Sequence, residues 1–367
     1  MFSVRMTCLA VVAVGTLVPS AALTQPVIES VASSGIHGEA SSISGSGFGT
    51  KPGSSPAVWD DCDSEGLSSQ WDGAWPSASG SDNLKCRSPI RGIGLPHNNI
   101  SMYLAGSHAG NDGYNAGWNV IAYKNRTISS YPAYTYASWY QRSDDSWTFC
   151  DDNNYKVFDF SMGNSPYTMP ENWYIEYNGR PTSRTSTPSW HLNDDGSSLQ
   201  NSDSWWWGSA VNPMSGVWTK IEVEIRYSPN SDGYIRLWEN GRQRIDYQGA
   251  TDRYPGQSRS EGIGGYGRCS GFANNWRYFA DVYIDHTRAR VVLADNADYT
   301  QARIVEPQPI RSWADQSIAF TLNLGKLDPR SAYVFVVDRN GRRNATGIPF
   351  DSSAVIRPNP PTDLVAE

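Results

Sequence analysis

The chain has 367 residues and a net charge of −7. Since no run of Lys and Arg reverses this charge locally, the acidic surface repels nucleic acid and anionic lipid, and we expect neither as a partner. The 15 Trp, 20 Tyr and 33 Gly residues contrast with only 18% charged residues. Aromatic and β-branched runs separated by turn-forming residues are typical of many short strands, so an all-β fold is predicted.

Residues 1–24 have the pattern of a secretory signal peptide. A start carrying Arg5 precedes an apolar stretch from Met6 to Val18, and small residues follow around Ala21. The apolar stretch is too short to span a bilayer, which takes about 20 residues, and no later segment is long and apolar enough. We therefore predict a secreted protein, extracellular or periplasmic, with no membrane span.

Four cysteines follow this segment: Cys62, Cys86, Cys150 and Cys269. An even number in an exported chain favours two disulfides, for which three connectivities are possible. We favour the pairs Cys62–Cys86 and Cys150–Cys269, and free thiols are the alternative. The spacings include no CxxC pair, so a zinc site is not expected.

The segment 26–56 contains two short alternating stretches and then a glycine-rich stop. The stretches lie at 27–31 and 40–44, and the stop reads GSGFG. This pattern resembles the first strands of an immunoglobulin-like TIG domain, which end in a similar glycine turn. The usual continuation of that domain is missing from the residues that follow.

A complementary pattern lies far downstream, in residues 288–350. Strands are predicted there at 288–293, 319–324 and 332–338. Their order resembles the closing strands of the same TIG type. We therefore predict a TIG-like domain that is split around an insertion at 57–287 and followed by a loose, Pro-rich tail at 351–367. The alternative is two independent small β modules that flank a core.

The insertion is long enough for one large sandwich of two antiparallel sheets. Its predicted strands lie at 134–141, 156–161, 173–177, 218–226, 234–239 and 278–285. Between the runs YIRLWE and RQRIDYQ, the dipeptide Asn240-Gly241 predicts a tight β-hairpin.

Three motifs of the insertion resemble, in their order, the concanavalin-A-like jelly roll, and specifically its secreted polysaccharide-lyase branch that acts on alginate or glucuronan. The motifs are TYASWYQRSDDSWTF followed by Lys156, then WTKIEVEIRYSPNSDGYIRLWENGR, then YFADVYID. The resemblance implies an all-β jelly-roll sandwich accompanied by the small immunoglobulin-like β domain. This sandwich hosts lyases, hydrolases and lectins alike, so the fold does not by itself determine the activity.

A lyase acting on a uronate-containing polysaccharide must neutralise the carboxylate, take the C5 proton and protonate the leaving oxygen. Arg, Gln or Asn can do the first, and His, Tyr or Lys the others. The candidates on strands expected to form the concave face are Tyr140, Arg142, Lys156, Tyr174 and His191. Each has a structural alternative, such as a core tyrosine or an ordinary loop histidine. Cleavage by β-elimination is the leading functional hypothesis.

Four tryptophans are predicted to bind sugar, because an aromatic ring can stack on the apolar face of a sugar ring. They are Trp190, Trp205, Trp206 and Trp207. We place Trp190 in a rim loop and the other three in a polar loop, where binding residues are common. The alternative is that the tryptophans pack their loops onto the sandwich. A non-catalytic glycan-binding or cell-surface adhesion protein is the second functional hypothesis.

Glu222 and Glu224 are two residues apart on a predicted strand, so alternation puts both carboxylates on one face. Paired carboxylates act as nucleophile and acid/base in retaining glycosidases. The signature of such hydrolases on the resembled fold is E-x-D-x-x-E, and its last two acids are absent here. A glycoside hydrolase is therefore the weaker alternative, beside an exposed strand face with self-pairing charges.

Asp60 near the start of the insertion and Asp281 near its end carry hard oxygen ligands of the kind that calcium prefers. Sandwiches of the resembled type often carry a structural calcium between their first and last strands, which implies a calcium site here. Solvated turn aspartates are the alternative, and no catalytic cofactor is expected.

Overall fold

A computed structural model describes residues 25–62, 68–75, 85–87, 95, 102–108, 121–143, 154–164, 171–178, 189–194, 203–209, 216–264 and 274–350. This part of the chain is all-β with antiparallel pairing throughout, which confirms the predicted fold class. No helix within it is long and apolar enough to cross a membrane. The predicted signal peptide and the predicted loose tail lie outside the described residues.

One sheet of a large sandwich has seven strands, and we call it the seven-stranded sheet. Its order is β12 (Asp203–Ser209), β11 (Ser189–Asp194), β10 (Asn172–Asn178), β9 (Asn154–Met162), β16 (Ser258–Gly264), β7 (Ile121–Thr127) and β4 (Gly73–Trp75).

The facing sheet is called the eight-stranded sheet. Its order is β15 (Arg242–Gln248), β14 (Tyr234–Glu239), β13 (Thr219–Tyr227), β8 (Ala133–Ser143), β17 (Asn274–Asp285), β6 (Met102–His108) and β5 (Lys85–Arg87), with β3 (Val58–Asp60) also paired to β17.

Two four-stranded sheets form a small sandwich. One has the order β1 (Val27–Ala32), β2 (Ala40–Ser46), β21 (Ser317–Thr321) and β20 (Ile310–Trp313). The other has the order β19 (Val305–Pro307), β18 (Arg290–Ala294), β22 (Tyr333–Val337) and β23 (Ile348–Pro349). Short 3₁₀ turns occupy Tyr299–Gln301 and Pro329–Ser331.

The small sandwich is assembled from two distant parts of the chain. Strand β2 pairs with β21, and the Gly49 amide donates to Asp315 Oδ1 at 2.7 Å across 266 residues. Ile43 on β2 and Phe320 on β21 enter one apolar core together with Val336 of the second sheet. The strands before and after the large sandwich therefore build one packed unit.

Alternation explains how the large sandwich buries its core. On β13, Ile221, Val223 and Ile225 enter the space between the sheets, while Glu222 and Glu224 lie on the opposite face. The sequence WTKIEVEIR thus gives a strand with one apolar face.

Aromatic rings from both sheets fill that core. The rings of Trp139 and Phe158 stack across the sandwich with their centroids 5.6 Å apart, and those of Phe160 and Trp173 stack at 5.9 Å. Such contacts contribute beyond the area that they bury. The hairpin between β14 and β15 turns at Asn240 and Gly241, both with positive φ, as the Asn-Gly signal predicts.

A buried ion pair joins the two sandwiches. Lys220 Nζ on β13 donates to Glu306 Oε2 on β19 at 2.7 Å, and both side chains are fully buried. The Tyr140 hydroxyl donates to the other oxygen of Glu306. Gly325 has φ of +50°, and a Cβ atom there would collide with the Glu306 carboxylate, so glycine suits this close approach.

A second buried carboxylate lies inside the large sandwich. Glu261 Oε1 accepts from Thr135 Oγ1 at 2.6 Å and from the Tyr227 hydroxyl at 2.8 Å. His286 Nε2 lies 3.1 Å from Oε2. Burial alone raises the pKa of Glu261, but His286, Arg126 and Thr135 outweigh it and lower the pKa to about 2.

This carboxylate makes the stability of the fold sensitive to acid. The ordinary pKa of 4.5 applies in the unfolded chain, so the unfolded chain takes up the proton first as the pH falls. A stabilisation on the order of 3 kcal/mol is present above pH 4.5 and is lost between about pH 4.5 and pH 2. We expect Glu261→Gln to flatten this part of the stability–pH curve, measured by urea unfolding at several pH values.

The exposed Glu29→Gln variant serves as the control and keeps the acid dependence. A Glu261→Gln variant that loses stability in acid as steeply as the parent would contradict this assignment.

Candidate active site

A polar cluster lies on the outer face of the seven-stranded sheet, and strand β10 provides part of it. Trp173 and Ile175 enter the core of the large sandwich. Alternation therefore puts Tyr174 and Glu176 on the opposite, outer face. The alternation in the motif WYIEY therefore provides an apolar face for the core and a polar face on the outside of the sheet.

Strand β11 continues the cluster. Trp190 and Leu192 enter the core, so His191 and Asn193 lie on the outer face. The register aligns His191 with Glu176 and Asn193 with Tyr174. The two strands thus bring four polar side chains together.

A bulge in β9 adds the fifth member. The ladder shifts by one residue, so that Ile175 opposes Phe158 but Glu176 opposes Lys156. Val157 is the extra residue, and a bulge of this kind redirects the side chains of its strand. Lys156 consequently lies beside Tyr174, with its Nζ atom 3.6 Å from the centroid of the ring.

The contacts within this group are polar and close. His191 Nδ1 lies 2.5 Å from Glu176 Oε1. Asn193 Nδ2 donates to the Tyr174 hydroxyl. We refer to these five residues, Lys156 included, as the His191 cluster.

Four residues of the His191 cluster are buried, and Asn193 is half-buried. The exposed fraction is 9% for Lys156 and 3% for both Tyr174 and His191. Electrostatic interactions strengthen when water is excluded, so each charge here acts strongly on its neighbours.

The arrangement has the parts of an acid–base site. A histidine held by a carboxylate is a positioned proton acceptor, because the carboxylate fixes the ring and stabilises its protonated form. The Tyr174 hydroxyl accepts a hydrogen bond from the Asn193 amide, so its own proton remains available for donation to another group. The Lys156 ammonium over the same ring stabilises negative charge on the phenolic oxygen.

Two predicted catalytic residues lie elsewhere, which corrects the predicted constellation. Strand β8 pairs with β13 and β17, so Tyr140 and Arg142 belong to the eight-stranded sheet. Lys156, Tyr174 and His191 belong to the other sheet. Tyr140 is fully buried and bonded to Glu306 at the junction with the small sandwich.

The loop assignments of the tryptophans are also wrong. Trp190 lies on β11, not in a rim loop, and its ring is fully buried in the sandwich core. Residues 205–207 lie on β12, where Trp206 is the register partner of His191. The side chains of Trp205, Trp206 and Trp207 lie outside the described part, so their predicted contacts with sugar stay a prediction.

The calcium site proposed at Asp60 and Asp281 stays a prediction. Asp60 accepts from the Cys62 amide at 3.0 Å and from Trp71 Nε1 at 2.8 Å. Asp281 lies in an irregular stretch of β17 with φ of +49°. Within the described ranges, no group of three or more His, Cys, Asp and Glu side chains could hold a metal ion. Cys62 is disulfide-bonded, and its predicted pairing with Cys86 stays a prediction.

Glu222 and Glu224 lie together on the face of β13 that points away from the core. The predicted alternative of an exposed strand face is wrong, because both side chains are buried. The Tyr136 hydroxyl donates to Glu222 Oε2 at 2.7 Å, and the Tyr234 hydroxyl donates to Glu224. Arg288 Nε lies 3.2 Å from Glu224. Both carboxylates are therefore covered and held at the boundary with the small sandwich.

Glu176 and Asn193 are functional candidates that the sequence analysis missed. Each stands two residues from a predicted catalytic residue on the same strand, Tyr174 or His191, and alternation places both members of each pair on one face. The signal was present in WYIEY and SWHLND. It became readable only once SWHLND was known to be a strand.

No protein-family model and no curated protein matches the chain. Among solved structures, the chain is similar to the endo-β-1,4-glucuronan lyase from the fungus Trichoderma reesei, with 10% identity, a TM-score of 0.43, and coverage of 63% of this chain and 96% of that one.

It is also similar to the alginate lyase vAL-1 from Chlorella virus, with 13% identity, a TM-score of 0.37, and coverage of 59% and 93%. LamAcat from Zobellia galactanivorans follows with 10% identity, a TM-score of 0.36, and coverage of 63% and 97%. Because these values are low, function is inferred below from the site geometry alone.

Proposed function

We propose that the protein is a polysaccharide lyase that cleaves a uronate-containing polysaccharide by β-elimination at the His191 cluster. The observation that carries the proposal is the His191–Glu176 pair beside a tyrosine that contacts both an ammonium and an amide donor. These are the groups that proton abstraction next to a carboxylate requires.

Each group has a defined role in the proposed reaction. His191, held by Glu176, removes the C5 proton, and the electron pair forms the C4–C5 double bond as the C4–O bond breaks. Tyr174 donates its proton to the departing oxygen, and the proton on His191 then returns to Tyr174. Lys156 neutralises the uronate carboxylate, and Asn193 stabilises the tyrosinate.

The test is incubation of the protein with alginate, glucuronan, pectin and ulvan while the ultraviolet absorbance of the unsaturated uronate product is followed. The proposal expects an absorbance rise with at least one polymer and its loss in His191→Ala. Retention on an immobilised glycan without turnover would instead support the glycan-binding alternative. Reducing ends released without absorbance would support the hydrolase alternative.

Glu176 acts as a positioning residue in this scheme. We expect Glu176→Gln to lower kcat by about a hundredfold or more while KM stays within about twofold, because the histidine loses its orienting carboxylate but substrate contacts remain. Steady-state kinetics on the responsive polymer measures both parameters. The matched control is Glu239→Gln on the other sheet, which is expected to retain the parental kcat. Equal losses in the two variants would contradict the positioning role.

A further inference from the structure

A cavity of about 480 Å³ lies between the eight-stranded sheet and the small sandwich. We call it the interdomain pocket. One wall is the outer face of β13 and β14, which supplies Glu222, Arg236 and Trp238. The other wall comes from the small sandwich, including Arg290 and Arg343. Its volume falls within the usual range of about 300 to 1,000 Å³ for small-molecule sites.

Four arginines line this pocket, and two of them have a carboxylate partner. Arg236 Nε lies 3.1 Å from Asp246, and Arg288 Nε lies 3.2 Å from Glu224. Arg290 and Arg343 make no salt bridge to any residue that the structure describes. The lining carboxylates are Glu222 and Glu224, so the four arginines give the pocket an excess of positive charge in a protein whose net charge is −7.

Arg290 is the most informative of the four. Its side chain is buried, its guanidinium lies 3.9 Å from the centroid of the Tyr136 ring, and it donates to the Arg288 carbonyl. Its Nε atom has no hydrogen-bond partner within the described chain. Glu222 and Glu224 also line the pocket and interact electrostatically with Arg290, but neither forms a salt bridge with its guanidinium within the described residues. Buried cations are normally paired directly, so a buried arginine of this kind at a cavity wall indicates an anionic ligand.

The remaining lining favours a sugar over a simple ion. Trp238 is half-buried at the wall beside Arg236, two residues away on the same strand face, and aromatic rings stack on sugar faces. Burial, with a smaller effect of Glu306, raises the pKa of Glu222 against the opposing effects of Tyr136, Lys220 and Arg290.

We propose that the interdomain pocket binds a carboxylate-bearing sugar, a uronate unit, through its arginines and Trp238. Arginine presents a planar fork that matches a carboxylate, which distinguishes this ligand from neutral sugars. The pocket lies on the eight-stranded sheet, whereas the His191 cluster lies on the seven-stranded one. The proposal therefore does not depend on the lyase assignment.

Isothermal titration calorimetry of the whole protein with D-glucuronate tests the proposal, with D-glucose as the neutral match and inorganic phosphate as a simple anion. We expect glucuronate to bind in the interdomain pocket at least about tenfold more tightly than glucose or phosphate. Arg343→Gln is expected to weaken glucuronate binding by about tenfold, because a charge-assisted contact is lost. Arg330 is exposed and lies outside the pocket, so Arg330→Gln is expected to leave the affinity for glucuronate unchanged.

His191→Ala is expected to retain glucuronate binding, which separates this pocket from the His191 cluster. Absence of glucuronate binding, equal binding of glucose or phosphate, or full affinity in both Arg343→Gln and Arg236→Gln would each overturn the proposal. Loss of binding in His191→Ala would also overturn it, since the ligand would then occupy the other sheet.

Discussion

Tyr174→Phe is expected to lower kcat/KM for β-elimination by about 10² to 10⁴, the usual effect of removing a general acid. The substitution removes the hydroxyl that Asn193 contacts and keeps the ring on which the Lys156 ammonium lies. Packing is therefore retained while the proton donor is lost. The measurement is the initial rate of absorbance increase with the responsive polymer, together with a urea unfolding curve for each variant.

Tyr140→Phe is the matched control, because it also removes a buried tyrosine hydroxyl, but from the other sheet. Its hydroxyl donates to Glu306, so its loss is expected to lower the free energy of unfolding by about 1 to 3 kcal/mol and to leave kcat/KM unchanged. A Tyr140→Phe variant that loses turnover while Tyr174→Phe retains it would reverse the site assignment.

Glu306→Ala is expected to lower the free energy of unfolding by about 3 to 5 kcal/mol. The change leaves the buried Lys220 ammonium without its carboxylate at the junction of the two sandwiches, and it also removes the acceptor of Tyr140. Uncompensated charge, not the lost packing, accounts for most of this cost. Urea unfolding at neutral pH measures the effect.

The double variant Lys220→Met, Glu306→Met separates charge from shape. Replacing a buried ion pair by apolar side chains of similar size is often close to neutral, so the double variant is expected to recover most of the loss. If Glu306→Ala lowers the free energy of unfolding by less than about 1 kcal/mol, water must solvate the Lys220 ammonium. That result would contradict the burial of Lys220 described above.

Strands were predictable from the sequence because their signal is local. The alternation in WTKIEVEIR and the Asn240-Gly241 turn depend on neighbours in the chain, and both appear as expected. Pairing between strands depends on distant residues. Nothing in the run that contains Tyr140 shows that its strand lies beside β13 and β17, not beside β9.

The candidate site was predictable only in part for the same reason. Lys156, Tyr174 and His191 were predicted and are close together, but the bulge at Val157 that places Lys156 on the outer face has no sequence signal of its own. Trp190 was misplaced because SWHLND is polar enough to resemble a loop. The cover over Glu222 and Glu224 comes from β18 and its neighbours, far along the chain.

The pairing of β2 with β21 has a consequence for synthesis on the ribosome. Gly49 and Asp315 are 266 residues apart, so at about 5 to 20 residues per second the first hairpin emerges roughly 13 to 50 s before its neighbours. During that interval one edge of β2 has no strand beside it. Its sequence, ASSISGS, is mostly serine and glycine, which limits aggregation of nascent chains at that edge until translation delivers the missing strands.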